Sequence, residues 1–437
     1  MVDSIPLKEH LMIDFINKDL NPIVFGQIIR LLRIRYGYAL RDLAQRIHIS
    51  HTYLKKIEKG EVTITKDIYE NIALVFNLRL QSNKEKDQRF EDYKVILEEY
   101  IVYIASESKI HLIKELEQDE AYYINSMKMI DYYILKLAVY NHLVYGTMQD
   151  IAPIANEFDR LMGLLSIEQK QKVLVYTGIY YYNLSDFEES VRRLNEAATL
   201  IPNNLNAAMA KYLIGRNLSE TFKISQAIDY LESASLDFER YSIQDRIMHC
   251  KILLYINKMK IGVLDNVVDK FNEITLLTNS LNLRYIRLMV DYNYAIYYLL
   301  KEDYQNMLDK INEVKTINSR YYYYKAVALL KLGRMDEALD TVNALDTSFD
   351  TQKHKMVLYH RGLEFIKAYI LYLRNDDIKS YGKAIKRFYD AAMHVQAYVD
   401  IRFLFEYYVE FFKNQRRYKE AFLLTKQLIE IEQKTIQ

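Results

Sequence analysis

The chain has 437 residues, half of them hydrophobic, and a net charge of +1. This length exceeds what one hydrophobic core supports, so we expect two or more folded units. The chain has only 11 glycines and 4 prolines, and so few helix-breaking residues favour helices joined by short turns. Its single cysteine excludes a disulfide framework and a cysteine-rich metal site.

Residues 1–21 are predicted to form an amino-terminal arm or helix. Charged side chains such as Lys8, Glu9 and Asp14 interrupt the apolar runs there, which argues against a signal peptide. Elsewhere no uncharged stretch approaches the roughly 20 residues that a membrane-spanning helix needs. We therefore expect a cytoplasmic protein that does not bind a membrane.

Residues 22–80 contain the most informative pattern, two short helices joined by a tight turn. In the first helix, Leu40, Leu43 and Ala44 follow the i, i+3, i+4 spacing of one apolar stripe. Ser50 is a favourable N-cap for the helix that follows. This layout predicts a helix-turn-helix.

The second of these helices is predicted to end at Gly60 and to turn Leu54 and Ile57 towards the core. Its opposite face is basic and polar, and such a helix can reach base edges in the major groove of DNA. A helical hairpin used only for protein contacts is the alternative. The predicted DNA-binding side chains are Arg41, Ser50, His51, Thr52, Lys55, Lys56, Lys59 and Lys66.

The block from roughly Ile23 to Leu80 resembles the phage-repressor, or xenobiotic-response-element (XRE), type of helix-turn-helix domain. The segments that carry the resemblance are Gly26 to Arg33, Leu43-Ala44, Ile49 to Gly60 and Ile72 to Leu78. The resemblance implies a structural ion pair between Arg33 and Glu58. It also implies that the start of the recognition helix reads bases, through His51, Thr52 and Lys56.

Two positions depart from the pattern of this domain family. Leu40 stands where the family usually has a glutamine that braces a DNA phosphate, and His48 stands where a glycine is usual in the turn. We therefore expect this segment to share the fold of the family more than its phosphate contact.

Residues 22–80 are also the cationic part of the chain. Ten basic and five acidic side chains give +5 there, which leaves −4 for the remainder. So modest a charge releases few counterions, and a monomer would bind DNA weakly. Two copies on a two-fold operator would double the contacts, so we expect a homodimer on double-stranded DNA.

A charged stretch at 81–92 is predicted to be a linker or a connecting helix, followed by a repeat domain at 93–437. Its clearest unit, at 174–202, matches the tetratricopeptide (TPR) pattern at Gly178, Tyr181, Phe187, Ser190, Leu194, Ala197 and Pro202. Further units match at Gly215, Ala227, Leu231, Ala234, Ala326, Leu329, Gly333, Ala338, Val342 and Leu345. Stacked units wind into a right-handed helical solenoid with a concave face, so the predicted fold is all-α.

No catalytic or metal-binding constellation is found in the sequence. It has no HExxH, P-loop or G-x-S-x-G motif and no paired cysteines. The nine histidines are scattered, and each is read as a surface or groove residue rather than a metal ligand. We expect no enzyme, no cofactor and no metal.

A repressor-type helix-turn-helix followed by some seven to nine TPR units resembles the peptide-sensing regulators of Firmicutes, the Rgg/Rap/NprR/PlcR/PrgX (RRNPP) group. This resemblance implies a transcription regulator controlled by a short signalling peptide bound in the concave face. The forty tyrosines suit such a groove, although they equally suit the packing of a solenoid.

Inner-facing positions of the TPR frame supply the candidate peptide-binding side chains. We expect the peptide backbone to need amide donors and acceptors, and its carboxylate to suit Arg216. The candidates are Tyr182, Asn183, Tyr212, Arg216, His249, Tyr292, Asn293 and Tyr323.

Two other functions are compatible with the same sequence. In one, the array is a scaffold that binds a protein partner, and the DNA-binding domain is a tether. Some relatives act on a phosphotransfer protein, so a protein that dephosphorylates or sequesters a response regulator is the other alternative.

Overall fold

The computed structural model describes residues 20–102, 110–143, 148–314, 318–345 and 354–436. Within these ranges the chain forms 23 helices, and its strand-like pairing amounts to one isolated bridge between Gln81 and Ser126. No helix of the described ranges combines the length and the apolar character that crossing a membrane requires. The arm predicted at 1–21 lies almost wholly outside the described residues.

Four short helices form the helix-turn-helix domain: α1 Pro22–Arg35, α2 Leu40–Arg46, α3 His51–Glu58 and α4 Lys66–Phe76. The predicted cap of α3 is confirmed, because Ser50 Oγ accepts a hydrogen bond of 3.1 Å from the backbone N–H of Tyr53. The apolar stripes point inwards as predicted, with Leu43, Leu54 and Ile57 buried.

The charged stretch after this domain leads into a helix, α5, which runs Lys84–Val102. The residues just before its start are hydrogen-bonded to the segment at 122–125. The backbone N–H of Gln81 donates to Asn125 O at 2.8 Å, and that of Asn83 donates to the Tyr122 hydroxyl at 2.8 Å. The connection is therefore fixed to the helices that follow it.

The described contacts divide the chain into two units, up to Leu213 and from Ile214 onwards. The first unit contains the helix-turn-helix domain and the first part of the array. Its further helices are α6 Ile110–Gln118, α7 Glu120–Tyr123, α8 Met129–Leu143, α9 Met148–Leu161, α10 Ile167–Asn183 and α11 Phe187–Leu200.

The second unit is a helical array throughout its described ranges. Helix α12, Leu205–Glu220, contains the boundary between the units. The others are α13 Ile224–Arg240, α14 Gln244–Lys260, α15 Val267–Ser280, α16 Arg284–Leu300, α17 Tyr304–Asn312, α18 Ser319–Lys331, α19 Met335–Asn343, α20 His354–Asn375, α21 Ile378–His394, α22 Tyr398–Asn414 and α23 Tyr418–Ile436.

Small residues let sequential helices pack closely, as the TPR pattern predicts. A Cβ atom added to Gly178 would lie 2.7 Å from Leu194 Cδ2, and one added to Gly215 would lie 2.8 Å from Leu231 Cγ. The hydroxyl of Ser190 also donates to Gly178 O at 2.7 Å. The predicted fold class, a helix-turn-helix domain followed by a TPR-like helical array, is confirmed.

Many turns of the array place one residue other than glycine in the left-handed backbone region. Examples are Ser185 with φ 62°, Phe222 with φ 60° and Glu302 with φ 58°. The conformation lets the next backbone N–H reach back into the preceding helix, as where Asp186 N donates to Tyr181 O at 2.9 Å. This is how the chain ends so many helices with so few glycines.

Candidate nucleic-acid interface

The recognition helix α3 is held against α1 by a direct approach of the two backbones. A Cβ atom at Gly26 would lie 2.7 Å from Glu58 O and closer still to Ile57 O. Backbone atoms of a packed helix do not move aside cheaply, so this crossing requires glycine. The angle at which α3 is presented follows from this contact.

An ion pair fixes the same two helices. Arg33 donates from Nε and Nη2 to the Glu58 carboxylate at 2.5 and 3.1 Å, and Arg30 Nη1 lies 3.4 Å from the same carboxylate. The Glu58 side chain is 1% exposed, so it depends on these donors for solvation. The ion pair predicted between Arg33 and Glu58 is confirmed.

Most of the predicted DNA-binding side chains lie on the surface of this domain. Exposed positions are Arg41, Ser50, His51, Thr52, Lys55, Lys56 and Lys59. Lys66 differs, because it is half-buried and lies 3.8 Å from Glu70. Leu54 and Ile57 anchor the opposite face of α3, so its polar side is presented outwards. Contacts with DNA by these side chains remain a prediction.

Both departures from the XRE pattern have structural consequences. His48 adopts φ 58°, the left-handed conformation for which the family's glycine is suited, so a β-carbon is strained there. Leu40 opens α2 and is half-buried. It has no amide to offer a phosphate.

Helix α1 also docks on the array, through a contact that the sequence does not predict. Arg35 donates from Nε and Nη2 to the two Glu157 oxygens at 2.8 and 2.7 Å. Its Nη1 donates to the Tyr133 hydroxyl at 2.8 Å, and the guanidinium lies 4.6 Å from the ring centroid of that tyrosine. The hydrogen bonds to Glu157 are the main reason why the pKa of Arg35 is raised.

A second contact lies about two turns away on α1. Gln27 is 2% exposed and donates from Nε2 to Leu164 O at 2.8 Å and to Gln169 Oε1 at 3.1 Å. Gln169 also completes the capping box of Ser166 at the start of α10. Helix α1 is therefore shared: it supports the recognition helix and is bound to α8, α9 and α10.

Comparison with known proteins agrees with this architecture. The helix-turn-helix family HTH_3 matches residues 29–82. Among solved structures, a Rap protein complexed with competence and sporulation factor aligns with a TM-score of 0.58 at 13% identity, covering 81% of this chain and 99% of that one. The apo quorum sensor NprR from B. thuringiensis aligns at 0.57 and 14% identity, covering 80% and 99%.

The chain is a helix-turn-helix protein with the Rap/NprR fold. NprR in complex with its cognate peptide NprX gives a TM-score of 0.55 at 15% identity, covering 80% of this chain and 99% of that one. Domain and fold together fit the RRNPP group. No curated protein matches this chain by sequence.

Half of the predicted peptide-binding side chains of this Rap/NprR-fold array lie in its packed interior. Tyr323 is 0% exposed and its hydroxyl donates to Asp400 at 2.7 Å. Tyr292 donates to Asn318 at 2.9 Å, while the adjacent Asn293 donates to Met289 O at 2.7 Å. The fourth is Tyr212, which is buried as well. These rings and amides fill space between helices, so they do not present an open surface.

The other four lie nearer the surface. In the first unit Tyr182 is half-buried against Phe187, and Asn183 is exposed. In the second unit Arg216 and His249 are half-buried. Burial, together with the charges of Arg246 and Arg216, holds the pKa of His249 well below its usual value. Peptide binding by these residues remains a prediction.

No group of three or more His, Cys, Asp or Glu side chains in the described ranges is arranged to hold a metal ion. The free Cys250 is buried, and burial raises the pKa of its thiol to about 12. A thiol with so high a pKa is a poor nucleophile. The domain and the fold point to a regulator or receptor.

Proposed function

We propose that the protein is a cytoplasmic, sequence-specific transcription regulator whose helix-turn-helix domain binds DNA under the control of a short peptide held by the array. The observation that carries the proposal is the recognition helix α3, which is fixed through Gly26 and Glu58 and exposes His51, Thr52 and Lys56. A helix placed in this way suits the major groove.

The charge of the domain supports a dimer on DNA. Residues 22–80 carry a net +5, so one copy neutralises few phosphates. Two copies on a two-fold operator would double that number. We therefore propose a homodimer whose spacing matches two half-sites.

The docking of α1 supplies a route by which the array can influence DNA binding. A ligand shifts an equilibrium only by the difference in its affinity for two states. The contacts of Arg35 and Gln27 make the orientation of α3 depend on the arrangement of α8 to α10. A rearrangement of those helices would therefore alter how α3 is presented.

A peptide is the ligand class that the fold favours, since Rap and NprR of this fold are seen with a signalling factor and a cognate peptide. In this chain Arg216 lies half-buried on α12, and we assign the peptide carboxylate to its guanidinium group.

The test is a DNA-selection experiment with the full chain, followed by titration of the selected duplex. His51→Ala with Lys56→Ala should abolish the preference for the selected sequence, while circular dichroism stays unchanged. Calorimetry with peptides of five to ten residues, encoded beside the gene, should then give saturable binding and shift the DNA affinity. A wild-type chain that prefers no sequence would contradict the proposal.

Similarity to Rap favours one further candidate, a protein that dephosphorylates or sequesters a response regulator. The same double substitution separates the two functions, because it alters only α3. If a response regulator is bound equally well by the wild type and by the variant, and no DNA preference exists, this second function is the correct one.

A further inference from the structure

An open cavity of about 540 Å³ lies where the helix-turn-helix domain meets the array. Three arginines line it: Arg30 and Arg33 from α1, and Arg160 from the last turn of α9. Residues 37–39, which precede α2, form another part of its wall. The cavity is thus built by both domains of the first unit.

The polar groups of this cavity call for an anion. Among the described residues Glu58 is the one carboxylate that pairs with any of these arginines, and it pairs with Arg30 and Arg33. The three guanidinium groups and Glu58 together therefore keep a formal charge of +2. In addition, the Nε of Arg30 is buried and has no hydrogen-bond partner. A buried donor without an acceptor is costly, and like charges repel across the cavity.

The position of the cavity indicates which anion it meets. Arg33 lines the cavity and also bonds to Glu58, the last residue of the recognition helix. The major groove is about 12 Å wide, so a helix lying in it has a row of phosphates along each side. A cavity beside the end of α3 would face such a row.

Resting on the proposed function, we propose that this cavity binds a backbone phosphate of the operator and that Arg160, a residue of the array, is a DNA contact. The array then contributes directly to affinity. The alternative is that Arg160 lies at the end of α9 only because a cation there interacts favourably with the helix dipole.

Arg160→Ala tests the proposal without disturbing the docking. The main-chain oxygen of Arg160, not its side chain, accepts from Arg30 at 3.4 Å, and Arg35 and Gln27 are untouched. The matched control is Arg192→Ala, which removes the same charge from an exposed position on α11. Its partner Glu189 still accepts a hydrogen bond from Arg193 Nε.

For the full chain, Arg160→Ala should weaken both the selected duplex and an unrelated duplex by a similar factor of about 3–10, because phosphate contacts are blind to sequence. The slope of log affinity against log salt should fall by about 0.9 for each protomer bound. Arg160→Lys should restore most of the slope, and Arg192→Ala should match the wild type.

If the wild type selects a sequence but Arg160→Ala behaves like Arg192→Ala, this inference is wrong and the proposed function stands. If inorganic phosphate or pyrophosphate binds in an Arg160-dependent manner while the DNA salt slope is unchanged, the cavity takes a soluble anion and the inference is also overturned. If the wild type prefers no DNA sequence, the proposed function is wrong as well.

Discussion

Arg35 and Glu157 join the helix-turn-helix domain to the array through two parallel hydrogen bonds of 2.8 and 2.7 Å. The Arg35 side chain is 32% exposed and that of Glu157 is 15% exposed, so water screens the pair only in part. The two residues are 122 positions apart in the chain. Their pairing is therefore a product of the tertiary structure.

We predict that Arg35→Ala loosens the docking of α1. Loss of charge-assisted bonds to Glu157 and Tyr133 should cost about 1–3 kcal/mol of local stability. Hydrogen exchange of residues 22–35 should accelerate, and a bound peptide should change DNA affinity less than in the wild type. Arg417→Ala, which removes an exposed pair with Glu420, is the control. An unaltered rate of hydrogen exchange in the Arg35 variant would show that the Arg35–Glu157 pair does not hold α1 on the array.

This contact also marks the limit of what the sequence could predict. The helix-turn-helix was predictable because its determinants, the Ser50 cap, the apolar stripe and Gly26, all lie in the one short segment that carries the family pattern. In the sequence Arg35 is recognisable only as one positive charge, because nothing near it in the chain specifies Glu157 as its partner. Long-range pairs of this kind leave no periodic signal.

In the array, too, some features were predictable from the sequence and others were not. Small residues such as Gly178 and Gly215 identified the helix crossings correctly, since the TPR pattern records close approach. The face that each tyrosine occupies was not predictable in the same way. A phenol ring suits a core and a groove equally. Tyr323 lies in the core, where Asp400 accepts a hydrogen bond from its hydroxyl.

His48→Gly is predicted to stabilise the helix-turn-helix domain. At φ 58° a residue with a Cβ is strained by about 1–2 kcal/mol, of which the greater chain entropy of unfolded glycine offsets roughly half. Amides of α2 and α3 should therefore open with a free energy about 0.5–1 kcal/mol higher, measured by hydrogen exchange. His48→Ala serves as the control, because it keeps the strain and should give no gain.

The stability of the second unit is predicted to fall as pH rises from about 4 to 6.5. Burial raises the pKa of Asp400 to about 6, although the hydrogen bond from Tyr323 opposes this shift. The folded state therefore holds a proton that the unfolded chain, with a pKa near 3.9, releases earlier, so stability is greatest at low pH and declines through this interval.

Asp400→Asn should remove this decline, since an amide keeps an acceptor for Tyr323 and does not ionise. Urea denaturation at pH 4.5 and pH 7 should give the wild type a loss about 2 kcal/mol larger than that of the variant. Equal pH profiles for the two proteins would show that Asp400 is ionised in the folded state over the whole range.

Ser50 permits a test that separates the shape of the recognition helix from its charge. Its hydroxyl caps α3 at the N–H of Tyr53, so Ser50→Ala should destabilise the helix by about 1 kcal/mol and reduce discrimination among DNA sequences, because His51 and Thr52 follow directly. Ser50→Asp restores a capping acceptor and should return hydrogen exchange of α3 to the wild-type rate.

The carboxylate of Ser50→Asp would however face DNA phosphates, so the affinity for every duplex should drop. If Ser50→Asp bound DNA as well as the wild type, the start of α3 would not lie against the duplex, and the recognition role given to His51 and Thr52 would fail with it.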